Sequence, residues 1–336
     1  MALNNVLDFE QPLAELDAAI DELKRISEEE GIDRAQEINA LQEHRDRLAE
    51  EIFSNLSPWD KTLMARHPNR PYALDYIRAI FDDFVELHGD RLFADDKAMI
   101  GGFAVLDGKP VLVIGQQKGR DIKERQFRNF GSAKPEGYRK ALRLMKMAEK
   151  FNRPIICIVD TPAADCSFGA EERGISEAIA RNMMEMAVLG VPVIAVIVGE
   201  GGSGGALGIA VANRVLMQEH AIYSVIPPEG CAAILSEFDR DPARAPEAAD
   251  ALNITAQRNL ELGIIDEIIP EPKEGAHRNY EQAAAAVKEA VVRHLGELRK
   301  LSREKLIEQR YQMFRGMGVY ATVPLAEDDQ AAEAAS

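Results

Sequence analysis

Ten residues of this chain, Gly199-Glu200-Gly201-Gly202-Ser203-Gly204-Gly205-Ala206-Leu207-Gly208, are the strongest candidates for chemistry. They follow a predicted strand and open a predicted helix of small residues. Glycine lets a backbone N–H approach a ligand closely, and the first N–H groups of a helix lack internal partners and lie at the positive end of its dipole. Such amides suit an anion or a developing oxyanion. The same residues equally suit a tight strand-to-helix turn that binds nothing.

Other chemistries compete for this stretch. Gly199, Gly201 and Gly204 spell G-x-G-x-x-G after a strand, and Glu219 follows about 20 residues later, as in a dinucleotide fingerprint. Against it, the helix available before Asn213-Arg214 is only about ten residues long, and the motif lies past mid-chain. A phosphate-binding P-loop is excluded, because no Lys-Ser or Lys-Thr follows the glycines. Ser203 as a nucleophile would need a histidine oriented by a carboxylate. The nearest histidine in sequence is His220, and the six histidines are scattered.

A second candidate loop, Asp160-Thr161-Pro162-Ala163-Ala164-Asp165-Cys166-Ser167-Phe168-Gly169, follows the apolar run Ile155–Val159. Ligands of parallel sheets gather at the carboxyl ends of strands, and both loops leave such ends, so they are expected to face one pocket. Glu171-Glu172-Arg173 then opens a helix, where acids serve either as a carboxylate pair or simply to complement the dipole. No His, Cys, Asp or Glu set has metal-site spacing, so no metal is expected in this chain.

The elements that must position these loops are legible in the periodicity. Leu13, Leu16, Ile20, Leu23 and Ile26 make an amphipathic helix over 13–26, and Ile38, Leu41, Leu48 and Ile52 make a second over 33–53, interrupted at His44-Arg45. The pair reads as an antiparallel hairpin that docks on the main body or on another chain. A short helix is predicted over Leu74–Leu87, then a β-hairpin from Ala98–Leu106 and Val111–Gly115 around Asp107-Gly108-Lys109-Pro110. A Lys- and Arg-rich loop spans Gln116–Lys134, and a helix runs from Pro135 to Lys150. Strand 154–159, helix 171–189, strand 192–198, the glycine segment with its helix, and extended segments 215–218 and 222–225 alternate as βαβ crossovers do. Residues 242–250 read as a loop or lid, 254–263 as a short helix, 264–269 as a strand and 281–310 as one long helix. The acidic tail 326–336 is expected to be disordered.

The 336 residues are 46% hydrophobic and 29% charged, with 40 Lys and Arg against 56 Asp and Glu, a formal charge of −16. That balance argues against nucleic acid and anionic membranes as partners. Cys157, Cys166 and Cys231 form no C-x-x-C and are expected as reduced thiols. No apolar run reaches the roughly 18 residues that span a bilayer, and no signal-peptide pattern opens the chain, so a cytoplasmic protein is expected.

The chain resembles the α subunits of the bacterial acetyl-coenzyme A carboxylase carboxyltransferase family. The resemblance is carried by Leu7-Asp8-Phe9-Glu10-Gln11-Pro12, Arg66-His67-Pro68, Arg70-Pro71-Tyr72, Asn129-Phe130-Gly131 and Pro135-Glu136-Gly137-Tyr138-Arg139-Lys140-Ala141-Leu142-Arg143. It continues through Gly169-Ala170-Glu171-Glu172-Arg173-Gly174, 199–206, Pro228-Glu229-Gly230-Cys231 and Ile269-Pro270-Glu271-Pro272. It implies an α/β, crotonase/ClpP-like fold of repeated ββα units, with an N-terminal helical hairpin and a long C-terminal helix. It also implies a helical arm over 1–60, a carboxyltransferase domain over 61–275, a helical extension over 276–325 and the tail.

The activity implied is transfer of a carboxyl group from carboxybiotin, borne on a biotin carboxyl carrier protein, to acetyl-coenzyme A. Malonyl-coenzyme A, the precursor of fatty acids, results. The implied partners are a β subunit bearing a zinc ribbon and the coenzyme A side of the site, in an α₂β₂ assembly, and a biotin carboxylase that uses ATP elsewhere in the complex. By this resemblance the oxyanion donors are the N–H groups of Gly204 and Gly205, flanked by Gly201, Gly202 and Ala206. The opposing loop supplies Asp160, Pro162, Ala163 and Ala164.

That loop departs from the family pattern D-T-P-G-A-Y-P-G. Ala163 replaces the first glycine, and Asp165-Cys166-Ser167 replace tyrosine, proline and the second glycine; Pro227 stands where serine is usual. If the first glycine requires positive φ, alanine is strained there and an N–H turns away. Asp165 would add negative charge beside an anionic carboxybiotin. The competing expectation is therefore a noncatalytic scaffold subunit with an impaired loop over 160–169.

Overall fold

In the computed structural model, which describes residues 6–319, two long helices come first. α1 (Gln11–Glu30) ends at Gly31, whose φ of 67° turns the chain into α2 (Ala35–Ser54). Only the base of this hairpin is covered. Leu13, Ala49 and Phe53 pack with Met64 of α3 (Pro58–Ala65), whereas Ile32 at the tip is half exposed. Arg45, which interrupts the apolar stripe of α2, bonds Asp17 of α1 at 2.8 Å and Glu274 of the main body at 2.7 Å. The docking surface is thus the chain's own body, and an ion bridge does the work that a leucine would otherwise do.

Next come α4 (Ala73–Ile80), β1 (Asp82–Glu86), β2 (Met99–Leu106) and β3 (Lys109–Gln116). The helix predicted over Leu74–Leu87 therefore stops at Ile80. Phe81 is extended, and the last residues pair with β2 as an edge strand. Asp107 and Gly108, both at positive φ, make the two-residue hairpin turn, so Lys109 and Pro110 belong to β3. α5 (Ile122–Phe127) and a 3₁₀ turn at Asn129–Gly131 lie inside the expected 116–134 loop, because the Asp121 carboxylate caps the Glu124 N–H.

α6 (Pro135–Lys150), β4 (Ile155–Thr161), α7 (Phe168–Glu172), α8 (Ile175–Ala187), β5 (Val193–Gly202), α9 (Ser203–Ala210), β6 (Arg214–Gln218) and β7 (Ile222–Ser224) follow. Gly174, at φ 76°, splits the helix predicted over 171–189 into α7 and α8. α10 (Pro228–Ile234), which the periodicity did not show, precedes α11 (Ala245–Ala251), so most of the expected lid over 242–250 is helical. The chain ends in α12 (Ala256–Glu261), β8 (Glu267–Ile269), α13 (Tyr280–Leu298) and α14 (Arg303–Arg315).

The single long C-terminal helix expected over 281–310 is broken between α13 and α14, where Ser302 caps α14. Arg310 supplies the reason. Its buried guanidinium bonds the carbonyls of Met186 and Leu189, at 2.7 and 2.9 Å, at the C-terminal end of α8. The acidic tail 326–336 lies outside the described residues.

The sheet has the order β1-β2-β3-β4-β5-β6-β8, with β7 alongside the end of β5. β1, β2 and β3 pair antiparallel, and every later pair is parallel. β4 and β5 are apolar on both faces because helices cover both. One core lies under α6, α8 and α9, the other under α4 and α13. In parallel register, Ile155 faces Val193 and Thr161 faces Gly201, which sets the carboxyl ends of β4 and β5 side by side.

Candidate functional site

At that shared edge the two candidate loops meet backbone to backbone. A Cβ on Gly202 would stand 2.0 Å from the Pro162 carbonyl oxygen, and one on Gly205 would stand 2.5 Å from the Ala164 nitrogen. These glycines are required by close approach, since any side chain would force the loops apart. Gly201 likewise has the Tyr223 ring 2.7 Å from its Cβ position. β5 runs on through Gly202 and turns at Ser203, whose φ is 52°, into the first turn of α9.

The α9 N–H groups of Ser203, Gly204 and Gly205 have no partner within the helix and point back along its axis. Gly204 has no atom nearer than 3.7 Å to its Cβ position. It lines a mostly apolar cavity of about 200 Å³ together with Ser203, Leu207, Tyr223, Val225 and Ile264. Ala206 faces inward and is fully buried. The Gly205 carbonyl is anchored by Gln116 Nε2 at 2.7 Å and the Tyr138 hydroxyl at 3.1 Å. Gln116 also accepts from the Asp160 N–H at 3.2 Å, so one amide side chain orients both loops.

Beneath the glycines lies a chain of buried and half-buried charges that spacing could not reveal. Lys118 stands 2.8 Å from the Asp160 carboxylate and 2.7 Å from that of Glu200. Arg66 bonds Glu200 at 2.6 Å and Glu229 of α10 at 2.5 Å. Burial opposes the Glu200 carboxylate, but Lys118 and Arg66 outweigh it and hold the group below the ordinary carboxylate range. Burial also opposes the Lys118 ammonium, and Asp160 with Glu200 keep it charged well above the ordinary lysine range. Burial pushes Asp160 up. The sequence signals for this network were that Arg66, Glu200 and Glu229 each fall within a block that carries the family resemblance, that Asp160 opens the second candidate loop and that Lys118 lies in the Lys- and Arg-rich loop.

The departures from the family loop prove locally consistent. Ala163 is absent from the residues at positive φ, so alanine carries no left-handed strain there. Asp165 accepts from the Ser167 N–H at 2.9 Å, and Ser167 caps α7 by accepting from Ala170. Pro227 occupies the N-cap of α10, where no side chain accepts from the helix.

The competing chemistries lose their geometry. Gly199 and Gly201 lie within β5, not in a phosphate-cradling turn, and the Glu219 carboxylate accepts from the Glu271 N–H. His220 lies against the Phe53 ring and donates its backbone N–H to Glu271, with no hydrogen bond to Ser203. One set of potential metal ligands that sequence spacing hid does come together: Glu10, His67 and His277, with ligand atoms within 4.8 Å. The two histidine rings lie tilted by 35° with centroids 4.1 Å apart. Glu10 bonds His277 at 3.1 Å and Arg278 at 3.3 Å, and this set ties the N-terminal segment to the body.

Residues 6–318 match the family described as acetyl co-enzyme A carboxylase carboxyltransferase-like. The chain is 56% identical over 321 residues to the acetyl-coenzyme A carboxylase carboxyl transferase subunit alpha of Geobacter metallireducens, covering 96% of this chain and 100% of that one. It is 54% identical over 314 residues to the same subunit of Methylococcus capsulatus, covering 94% and 97%.

Among solved structures, transcarboxylase 12S is similar over 66% of this chain, with a TM-score of 0.51 at 20% identity. The β subunit of geranyl-CoA carboxylase from P. aeruginosa is similar over 74%, with a TM-score of 0.53 at 14% identity. This chain spans 42% and 46% of those two chains, and they bear on the fold alone. Length, identity and the paired carboxyl-end loops agree: the chain belongs to the acetyl-coenzyme A carboxylase carboxyltransferase family as an α subunit, an enzyme component whose family transfers a carboxyl group to acetyl-coenzyme A.

Proposed function

We propose that the α9 N-terminus and the loop over 160–169 form the biotin side of the carboxyltransferase site. In this reading Gly204 and Gly205 provide the N–H donors, with Gly201, Gly202, Ala206, Asp160, Pro162, Ala163 and Ala164 shaping the cleft. The observation that carries the reading is the pairing of a closed seam with an open glycine. Gly202 and Gly205 bring the loops into backbone contact, while Gly204 opens on the apolar cavity. Helix N-terminal amides beside an apolar space fit a ureido ring system, whose body is apolar and whose oxygen accepts hydrogen bonds.

Carboxybiotin, when bound, supplies the carboxyl group and a ureido oxygen that gains negative charge as that group departs. The α9 amides point at that charge from fixed positions, and each such donor is typically worth about 3–4 kcal/mol of barrier. Because these donors are backbone groups, no catalytic side chain is required of this chain. The buried Lys118 and Gln116 hold the two loops in register. Leu207, Tyr223, Val225 and Ile264 give the cavity its apolar lining beside these N–H groups.

The coenzyme A side and the zinc ribbon then belong to a β subunit, the assembly is α₂β₂, and ATP is consumed by a biotin carboxylase elsewhere in the complex. Of the described residues, 6–60 form the arm, 61–275 the catalytic domain and 276–319 the helical extension. No described helix is long and apolar enough to cross a membrane, and a cytoplasmic complex is the setting we assign. The test is carboxyl exchange between malonyl-coenzyme A and biocytin. Activity in a mixture of this chain with a family β subunit, and in neither subunit alone, is the expected result; a stable complex without exchange would sink the reading.

A further inference from the structure

Between β3 and α6, residues 118–134 run along the rim of the same sheet edge. They carry six cations and two acids in a chain whose net charge is −16. Both acids are turned onto backbone amides: Asp121 accepts from the Glu124 N–H at 2.8 Å, and Glu124 from the Arg120 N–H at 2.9 Å. Two of the cations are paired, Lys118 with Asp160 and Glu200, and Arg120 with Asp75. Lys123, Arg125, Arg128 and Lys134 have no carboxylate within 4.0 Å among the described residues.

Two aromatic rings stand among these charges. Phe127 is 57% exposed and Phe130 53%. The Arg128 guanidinium lies 5.3 Å and the Lys97 ammonium 6.0 Å from the Phe127 centroid. Phe130 has a φ of 55°, between Asn129 at 45° and Gly131 at 82°. A bulky residue in the left-handed region costs about 1 kcal/mol or more, and the ring it presents gains little burial. The rim abuts the candidate cleft: the Gly131 Cβ position is 3.4 Å from the Asp160 carbonyl oxygen, and the Ala133 carbonyl accepts from the Asp165 N–H at 2.9 Å.

We propose that this rim, Lys123 to Lys134 with Phe127 and Phe130, is the docking surface for an acidic face of the carrier domain that delivers carboxybiotin. The proposal rests on the reading that the biotin side lies between α9 and the loop over 160–169. A group tethered to a carrier enters that cleft only when the carrier rests on its rim. There, unpaired cations steer an acidic surface into place and exposed aromatic rings anchor it.

The experiment uses this chain in complex with a family β subunit and measures kcat and KM in parallel for carrier-borne biotin and for free biocytin. Lys123→Glu with Lys134→Glu, and separately Phe127→Ala with Phe130→Ala, should each raise the carrier KM by about fivefold or more. Exchange with biocytin should stay within about twofold, and Lys123→Arg with Lys134→Arg should restore the carrier KM. The carrier KM of the unsubstituted complex should rise with salt, and that of the charge-reversed complex should not. An unchanged carrier KM would overturn the proposal. So would a raised KM for malonyl-coenzyme A, which would assign the rim to coenzyme A phosphates, or loss of the β subunit in sedimentation, which would make it a subunit interface. Absence of biocytin exchange in the unsubstituted complex would remove the underlying reading as well.

Discussion

The Lys118 ammonium stands 2.7 Å from the Glu200 carboxylate, and through its second contact, with Asp160, it joins the ends of β4 and β5 directly beneath the glycine turn. Removing it leaves two buried carboxylates facing each other. Lys118→Met should destabilise the chain by about 3–5 kcal/mol, the range for breaking a buried ion pair. Thermal unfolding measures that loss. Lys118→Arg, which keeps the charge, should recover most of the stability, and an equal loss in both variants would refute a charge-based role.

The seam between the loops makes opposite demands on adjacent glycines. Gly205→Ala places a methyl 2.5 Å from the Ala164 nitrogen and should lower carboxyl exchange by about a hundredfold, as expected for a displaced oxyanion donor. Gly204→Ala meets only Ile179, at 3.7 Å, and should keep exchange within about threefold because its amide remains in place. Equal effects at the two positions would rule out the seam as the determinant.

Ala163→Gly restores the family residue at a position that needs no positive φ. Exchange should therefore change by less than about twofold, while stability falls by roughly 0.5–1 kcal/mol through the greater freedom of the unfolded chain. A large gain in exchange would instead show that the native loop is impaired.

The Glu271 side chain is fully buried against Arg70, with an Nη1 contact at 2.9 Å. Burial alone would push its carboxyl up, yet Arg70 and His220 hold it down to about 2. A carboxyl lowered by folding contributes stability that is present above its unfolded value of 4.5 and disappears as pH falls from 4.5 to about 2. That displacement corresponds to roughly 3 kcal/mol. In urea unfolding, Glu271→Gln should be less stable than the unsubstituted chain at pH 7, and the gap should narrow steadily as pH falls below 4.5. A gap independent of pH would refute the assignment.

Period and punctuation by themselves determined much of this protein. The apolar runs of β4 and β5, the Asp107-Gly108 turn and the stripes of α1 and α2 each satisfy a local rule, and those elements form as expected. The pairing of the two loops was legible too, because parallel strands joined by crossovers place their carboxyl ends on one edge. Where local rules failed, a distant partner decided. Arg310 broke the C-terminal helix to reach the end of α8, and pairing with β2 drew Asp82–Glu86 out of a helix.

The charges beneath the site were hidden for the same reason. Lys118 meets Glu200 across 82 residues and Arg66 meets Glu229 across 163, and no spacing rule reaches so far. Periodicity reports which face of an element is apolar. Only the folded chain decides which buried charge meets which, because outside an apolar interior those charges are solvated singly and have no reason to pair.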